Sequence, residues 1–253
     1  MPVAHLRVWR GEDDGEYREY DVEYSEGMVV LDVVHLLQAS QAPDMAVRWN
    51  CKAGKCGSCS AEVNGKPRLM CMTRMQVFAP GETILIAPIK TFPLIRDLVT
   101  DVSHNYRVAQ DLMPELKLRE PNADGIHRMH QIDIDRIQEF HKCIECFLCQ
   151  DVCHVIRDHP ENLDHFAGPR FFIQLAQVAM HPLDTHSKGE MANPEFGLDY
   201  CNITKCCTDV CPEGIHITDN GIIPMKERAV DVYFDPLRLI GRRLFGRREK
   251  NEV

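Results

Sequence analysis

Along residues 5–10 (HLRVWR) and 17–24 (YREYDVEY) apolar and polar positions alternate, with GEDDGE between the two runs. A period of two interrupted by turn-forming residues predicts a β-hairpin. The pattern then shifts to helical spacing at Val30, Val33, Val34 and Leu37, which predicts a helix over VVLDVVHLLQA. SAEVNGKPRLM reads as a second hairpin turning at Asn64 and Gly65, and ETILIAP as a closing strand. Hairpin, helix, hairpin and strand suit a small sheet wrapped on one helix.

Past residue 100 the alternation stops. IDIDRIQEFHKCIECFLCQDVC and GPRFFIQLAQVAMHP read as helical, PNADGIHRMHQIDID and HPLDTHSKGEMANPEFGLDY as loops, and no strand is expected. The expected class is α+β, with a sheet domain over 1–100 and an all-α domain over 101–253, joined near TFPLIRDLVTD.

Composition narrows the function. The chain has 253 residues, 44% hydrophobic and 26% charged, enough for two modest globular domains. The opening MPVAHLRVWRGEDD lacks the apolar segment of a secretory leader, and no run approaches the length of about 18 apolar residues that a membrane span needs. The 12 cysteines therefore read as ligands in a reducing compartment rather than as disulfides. A net charge of -9 argues against a nucleic-acid partner. The tail PLRLIGRRLFGRREK runs the other way, with Arg238, Arg242, Arg243, Arg247, Arg248 and Lys250 against Glu249. It fits a solvated helix end and an anionic membrane surface equally well.

The cysteines fall into three groups. Cys51, Cys56 and Cys59, followed by Cys71, have the Cys-x4-Cys-x2-Cys spacing of a plant-type [2Fe-2S] site, and Gly54 and Gly57 let the loop coil around a cluster. A zinc site usually uses paired Cys-x2-Cys arms, and this loop with a strand-borne fourth cysteine fits that poorly. Cys143, Cys146, Cys149 and Cys153 form a bacterial ferredoxin run, and residues 201–211 repeat its frame with Thr204 in the second slot. In two-cluster ferredoxins the fourth cysteine of each run serves the other run's cluster. By that rule Cys143, Cys146, Cys149 and Cys211 hold a [4Fe-4S] cluster. Cys153, Cys201 and Cys207 are left with three thiolates, which makes the product a [3Fe-4S] cluster. Cys206 stands outside the frame. A small packed thiol is the favoured reading, and replacement of Cys207 as ligand is the rival.

RWNCKAGKCGSC with Cys71, FPLIRDLVTD, CIECFLCQDVC, GPRFF and CCTDVCPEGI, in this order, resemble the iron–sulfur subunit of succinate dehydrogenases and fumarate reductases. The resemblance implies a β-grasp plant-type ferredoxin domain followed by an α-helical ferredoxin domain. It implies a flavoprotein subunit with FAD and the dicarboxylate site, and a membrane anchor with the quinone site and often haem b. The chain would then be the wire between them at the cytoplasmic face of the cell membrane, in a succinate:quinone oxidoreductase or, run in reverse, a quinol:fumarate reductase. It carries no glycine fingerprint or nucleophile motif for substrate chemistry of its own. An electron carrier for a different flavoprotein would keep a complete second run or lack the first domain. A free ferredoxin would not need the tail or so large a helical domain.

The chain also departs from many members. His154 replaces the proline that follows the cysteine matching Cys153, no tryptophan comes after it, and Asn202 replaces a histidine after Cys201. His154, Asn202 and Thr204 mark the surface where a quinone would touch, and the contact is expected to be weak or absent. His159 and His165 read as surface residues, and Trp9 and Trp49 as core of the first domain. Arg48, Lys52 and Lys55 either offset the first cluster's charge or are solvated.

Overall fold

The computed structural model describes residues 1–186, 191, 193–237 and 239–240. Arg238, Arg242, Arg243, Arg247, Arg248, Glu249 and Lys250 of the basic tail lie outside the described residues.

Strands β1 (Val3–Arg10) and β2 (Glu16–Glu23) pair antiparallel, from Val3 opposite Glu23 to Arg10 opposite Glu16. Alternation places Ala4, Leu6 and Val8 on the inner face of β1. Helix α1 (Val30–Ser40) shares that core through Val30, Leu31, Val33, Val34 and Leu37, each worth about 1.5–3 kcal/mol when fully buried. Its first turn is held by Asp32, which accepts the Val29 N–H at 3.2 Å. Strands β3 (Ser60–Val63) and β4 (Lys66–Leu69) form the second hairpin, turning through Asn64 and Gly65 at φ 50° and 71°, as a tight hairpin turn requires. Strand β5 (Thr83–Ala87) runs parallel to β1 and antiparallel to β3, giving a mixed sheet in the order β2-β1-β5-β3-β4. This is the β-grasp arrangement.

Two tryptophans were both expected in that core, and only one approaches it. Trp9 is half-buried, edge-on to Tyr17 at 5.1 Å. Trp49 is 47% exposed, because it lies on the loop that leads into Cys51; it stacks on His35 at 4.7 Å and carries the Lys52 ammonium over its ring at 5.1 Å.

The junction segment folds into a small hairpin that the alternation did not reveal, β6 (Leu94–Arg96) with β7 (Val99–Thr100). A buried ion pair binds it to the sheet. Asp97, at φ 51°, accepts the Gly11 and Ala46 amides at 2.7 Å each and Arg10 Nε at 3.0 Å. Arg10 also donates to Tyr20 Oη at 3.0 Å and Asp44 at 2.8 Å. Burial works against the Arg10 charge, but hydrogen bonds to Asp44 and Asp97 outweigh it and hold the guanidinium protonated.

Helices follow: α2 (Ser103–Leu112), α3 (Gln131–Gln138), α4 (Leu148–Asp151), α5 (His154–Arg157), α6 (Gly168–Ala179), α7 (Cys206–Asp209) and α8 (Ile223–Tyr233). Phe171, Phe172 and Ile173 of α6 are fully buried and pack with Ile217, Ile222 and Met225. Residues 132–153, expected as helix, are helical only in short pieces. The chain leaves α3 after Gln138, makes a 3-10 turn at Phe140–Lys142, and then bends left-handed at Glu145 (φ 54°) and Phe147 (φ 59°). A straight helix would spread the sulfurs of this run along its length; the left-handed residues wrap the chain around a common point instead.

Asp97→Ala leaves the Arg10 guanidinium without its buried carboxylate partner, with only the exposed Asp44 to pair it. Destabilisation of about 3–5 kcal/mol is expected, read from urea unfolding followed by tryptophan fluorescence; a loss no larger than for an exposed ion pair would show that the junction does not depend on it.

Candidate metal centres

Three rings of thiols assemble from the three cysteine groups. In the first, Cys51 is exposed, Cys56 half-buried, and Cys59 and Cys71 buried, with Cys71 in a 3-10 turn (Met70–Met72) directly after β4 rather than on a strand. The amides of Ala53 and Lys55 point at Cys51 Sγ at 3.3 and 3.2 Å, and the Cys71 amide at Cys59 Sγ at 3.5 Å. Amides aimed at sulfur suit a thiolate that carries negative charge. At Cys56 burial works against that charge, but hydrogen bonds from Ser58 and Cys51 win and bring the thiol down to about 6. At Cys59 burial dominates and pushes the thiol up to about 12. Gly54 (φ 66°) and Gly57 (φ 67°) supply the left-handed turns.

The other two runs exchange their last cysteines. Cys143, Cys146, Cys149 and Cys211 line one apolar cavity together with Phe147 and Ile173. Burial pushes Cys146 up to about 12, with Cys143 and Cys211 adding to the rise. Cys149 is driven well above its usual range, first by burial and then by Cys146, Cys143, Cys207 and Cys211. Cys153 sits in the third ring instead. Burial raises it to about 12, and Cys206, Cys207 and Cys201 add to this. Burial also raises Cys207 to about 11, opposed by the Thr218 hydroxyl and reinforced by Cys206 and Cys201. Cys207 is felt at Cys149, so the second and third rings adjoin. Sulfurs that resist ionisation so strongly need cations among them to become thiolates, and loading would release their protons.

The two runs share one backbone path. The residues two and four places after the first cysteine are left-handed in both, Glu145 and Phe147 in one and Ile203 and Lys205 (both φ 64°) in the other. A single helical turn follows each, α4 and α7. Thr204 thus stands where Cys146 stands in the first run. Its hydroxyl lies 3.4 Å from His154 Nδ1 and 3.4 Å from Cys206 Sγ. Asn202 and Thr204 are exposed, and His154 is half-buried. Cys206 is half-exposed, not packed away. His159 and His165 are exposed.

The donor sets fit clusters better than a single ion. Among the described residues no three His, Cys, Asp or Glu side chains are placed to hold one metal ion. The thiols instead gather within electrostatic reach of one another, around left-handed loops whose amides point at sulfur.

Contacts between the domains set the rings side by side. A Cβ on Gly57 would meet the Cys146 backbone at 2.7 Å, so the first loop touches the second only because this residue lacks a side chain. Ser60 Oγ bridges the Gly57 and Cys146 carbonyls at 2.9 and 2.8 Å. Lys55 is largely exposed and pairs with Glu213 at 3.0 Å across the interface. Arg157 pairs with Glu62 of β3 at 2.5 Å and lies 3.6 Å from Asp151, whose carboxylate also accepts the Lys90 amide at 2.7 Å.

Several of these residues escaped the sequence reading. Arg170, 4% exposed, bonds Glu145 at 2.5 Å and the Asn105 carbonyl at 3.0 Å, and its charge acts on Cys143. A charge inside the apolar run GPRFF was the available signal. Glu62 and Arg157 gave none, since their pairing crosses the two domains.

Residues 5–107 match the family described as 2Fe-2S iron-sulfur cluster binding domain, and residues 139–215 the 4Fe-4S dicluster domain. The chain is 30% identical to the fumarate reductase iron-sulfur subunit of Mycobacterium tuberculosis, over 79% of this chain and 80% of that one. It is also 30% identical to one subunit of the fumarate reductase (CoM/CoB) of Methanothermobacter marburgensis, over 90% of this chain but only 44% of that longer protein. A chain of the Mycobacterium smegmatis Sdh1 complex in the apo form superposes with a TM-score of 0.89 at 61% identity, covering 93% of this chain and 99% of that one.

The Gly57 contact predicts a graded pair of variants. Gly65→Ala meets only backbone strain, since nothing lies within 4 Å of its added Cβ, and should cost about 1 kcal/mol. Gly57→Ala adds a backbone clash and should cost a further 1–3 kcal/mol or so. Equal losses in chemical denaturation would mean that the loop contact contributes nothing.

Proposed function

The chain belongs to the family of iron–sulfur subunits of succinate dehydrogenases and fumarate reductases, and from that premise we propose that it is the electron-transfer subunit of a membrane-bound succinate:quinone oxidoreductase. In this reading Cys51, Cys56, Cys59 and Cys71 hold a [2Fe-2S] cluster. Cys143, Cys146, Cys149 and Cys211 hold a [4Fe-4S] cluster, and Cys153, Cys201 and Cys207 a [3Fe-4S] cluster. The sheet domain over 1–100 carries the first and the helical domain over 101–253 the other two. When bound, these clusters pass single electrons between the FAD of a flavoprotein subunit and quinone or haem in a membrane anchor.

The observation that carries the reading is the exchange of Cys153 and Cys211 between two loops of one backbone path, with Thr204 in the slot of Cys146. The ends of the series have surfaces suited to partners. Around the exposed Cys51, Trp49 is 47% and Met72 59% exposed, which suits a flavoprotein contact. Beside the third ring Tyr200 and Ile203 are exposed, and after α8 Phe234, Leu237 and Ile240 are exposed as well. These suit a membrane anchor. Among the described residues no helix is long and apolar enough to cross a membrane. In the proposed complex an anchor of other chains holds this subunit at the cytoplasmic face.

His154 and Thr204 engage each other at 3.4 Å. Together with Asn202 they would make a weak quinone contact or none, and electrons would leave through haem in the anchor. The likeness to the Sdh1 chain supports succinate oxidation, while relatives named for fumarate reductase support the reverse direction. Purifying the complex from membranes and assaying both directions, with EPR of the clusters and an optical spectrum for haem, tests this reading.

Thr204→Cys restores the thiol missing from the third ring. EPR of the oxidised variant is expected to lose most of its [3Fe-4S] signal to a [4Fe-4S] centre; an unchanged signal would remove Thr204 from the vacant corner. At the other end, Trp49→Ala should lower the affinity for the flavoprotein partner roughly 30-fold, the usual worth of a buried aromatic anchor. Unchanged affinity in a titration of the purified components would place the contact elsewhere.

A further inference from the structure

Among the 12 cysteines only Cys206 has no place in the three rings. It lies at the position that Leu148 holds in the first run, and Leu148 is 1% exposed and fully packed. Cys206 instead stands half-exposed on the wall of an open cleft of about 560 Å3 between the domains, together with Arg68, Met72, Val152 and Pro212. A residue kept only for packing would be buried as Leu148 is.

Its sulfur also lies next to the vacancy. Thr204 occupies the ring slot that Cys146 fills in the first run, and Cys206 Sγ is 3.4 Å from the Thr204 hydroxyl. Cys206 thus stands beside the third ring at the Thr204 slot, and it opens on the cleft through which an ion could arrive.

We propose that Cys206 is a reserve ligand that lets the third centre take up a fourth iron, reversibly, from ferrous ion. The proposal rests on the three-thiolate reading given above. The step balances from the reduced three-iron core, [3Fe-4S] with zero charge. One Fe2+ adds, the Cys206 S–H bond breaks, its proton leaves to solvent, and a bond forms between Sγ and the added iron. The core becomes [4Fe-4S] with charge +2, and no further electron is required. A one-electron oxidant such as ferricyanide, with a chelator present, drives the return: the core gives one electron to the oxidant, Fe2+ leaves to the chelator, Cys206 regains a proton, and the [3Fe-4S] core is left with charge +1. The centre nearest the exit would thus change nuclearity, and with it potential, according to the ferrous iron around it.

The test uses the purified complex in wild-type, Cys206→Ser and Cys206→Ala forms. Each is reduced anaerobically with dithionite, incubated with isotope-enriched ferrous ion, desalted and mildly reoxidised. EPR, iron content and Mössbauer spectra of the added iron are then read. Wild type should lose most of its [3Fe-4S] signal, gain one iron per chain, and recover the signal after chelation, while both variants keep signal and iron content throughout. A wild type without the signal as isolated, whose Cys206→Ser form shows it, would support the proposal equally, with the ligand already engaged. Equal conversion in all three proteins, or a wild-type signal indifferent to ferrous ion, overturns it. A [3Fe-4S] signal absent from all three as isolated is a different result: it overturns the three-thiolate reading, and this proposal with it.

Discussion

The whole arrangement depends on the backbone of Gly57 lying against the backbone of Cys146. Electron transfer between centres falls off steeply with distance, so two loops that each surround a cluster must touch without side chains between them. Gly57 makes room, at a left-handed φ of 67° that any other residue would adopt only under strain. Ser60 then fixes the contact, its one hydroxyl proton shared between carbonyls on both sides of it. The outer ion pairs, Lys55 with Glu213 and Arg157 with Glu62, keep the domains from rotating about this point. Glu62 and Asp151 are both buried, and the charges that face them are Arg157, which reaches both, and the Lys90 ammonium, 3.3 Å from Glu62.

The helical domain solves one problem twice. Four sulfurs can converge only if the chain reverses its coil between them, and both runs do so at the same two places. In the first, the left-handed Glu145 is held by Arg170 and Gln174, and Gln150 is tied to Asn105 of α2. In the second, Lys205 reaches Asp219 at 2.7 Å and the Thr218 amide is taken by Thr208. The loops therefore hold their shape through partners outside themselves. This explains why one of them tolerates a threonine in place of a ligand without losing its path.

Much of this was legible in the chain. Alternation revealed the first hairpin, and the Asn64 and Gly65 turn revealed the second, because both signals are local. The helix at Val30–Ser40 announced itself by apolar spacing. The cysteine frames pointed to the three rings, since ligand spacing reflects how far a loop must travel around its cargo. What stayed hidden has non-local causes. Trp49 looks like core by residue type, yet its place on the first loop puts it outside. Residues 132–153 carry helix-favouring residues, and only the demand for converging sulfurs breaks them. The β6–β7 hairpin owes its existence to Asp97 bonding to Arg10, Gly11 and Ala46, which no window along the sequence brings together.

The exchange of Cys153 and Cys211 between loops also bears on how the protein is made. Neither helical-domain ring is complete within its own run: each waits for a sulfur that the other supplies. A ribosome that has released residues 143–153 has delivered three quarters of one set and a single member of the next. In the proposed assignment the third set closes when residue 207 has emerged, and the second only at residue 211, with α7 docked against α4. Closure of the two helical-domain sets thus comes late and nearly together, whereas the ring at Cys51–Cys71 depends only on sequence already complete, and the N-terminal domain is free to be finished first.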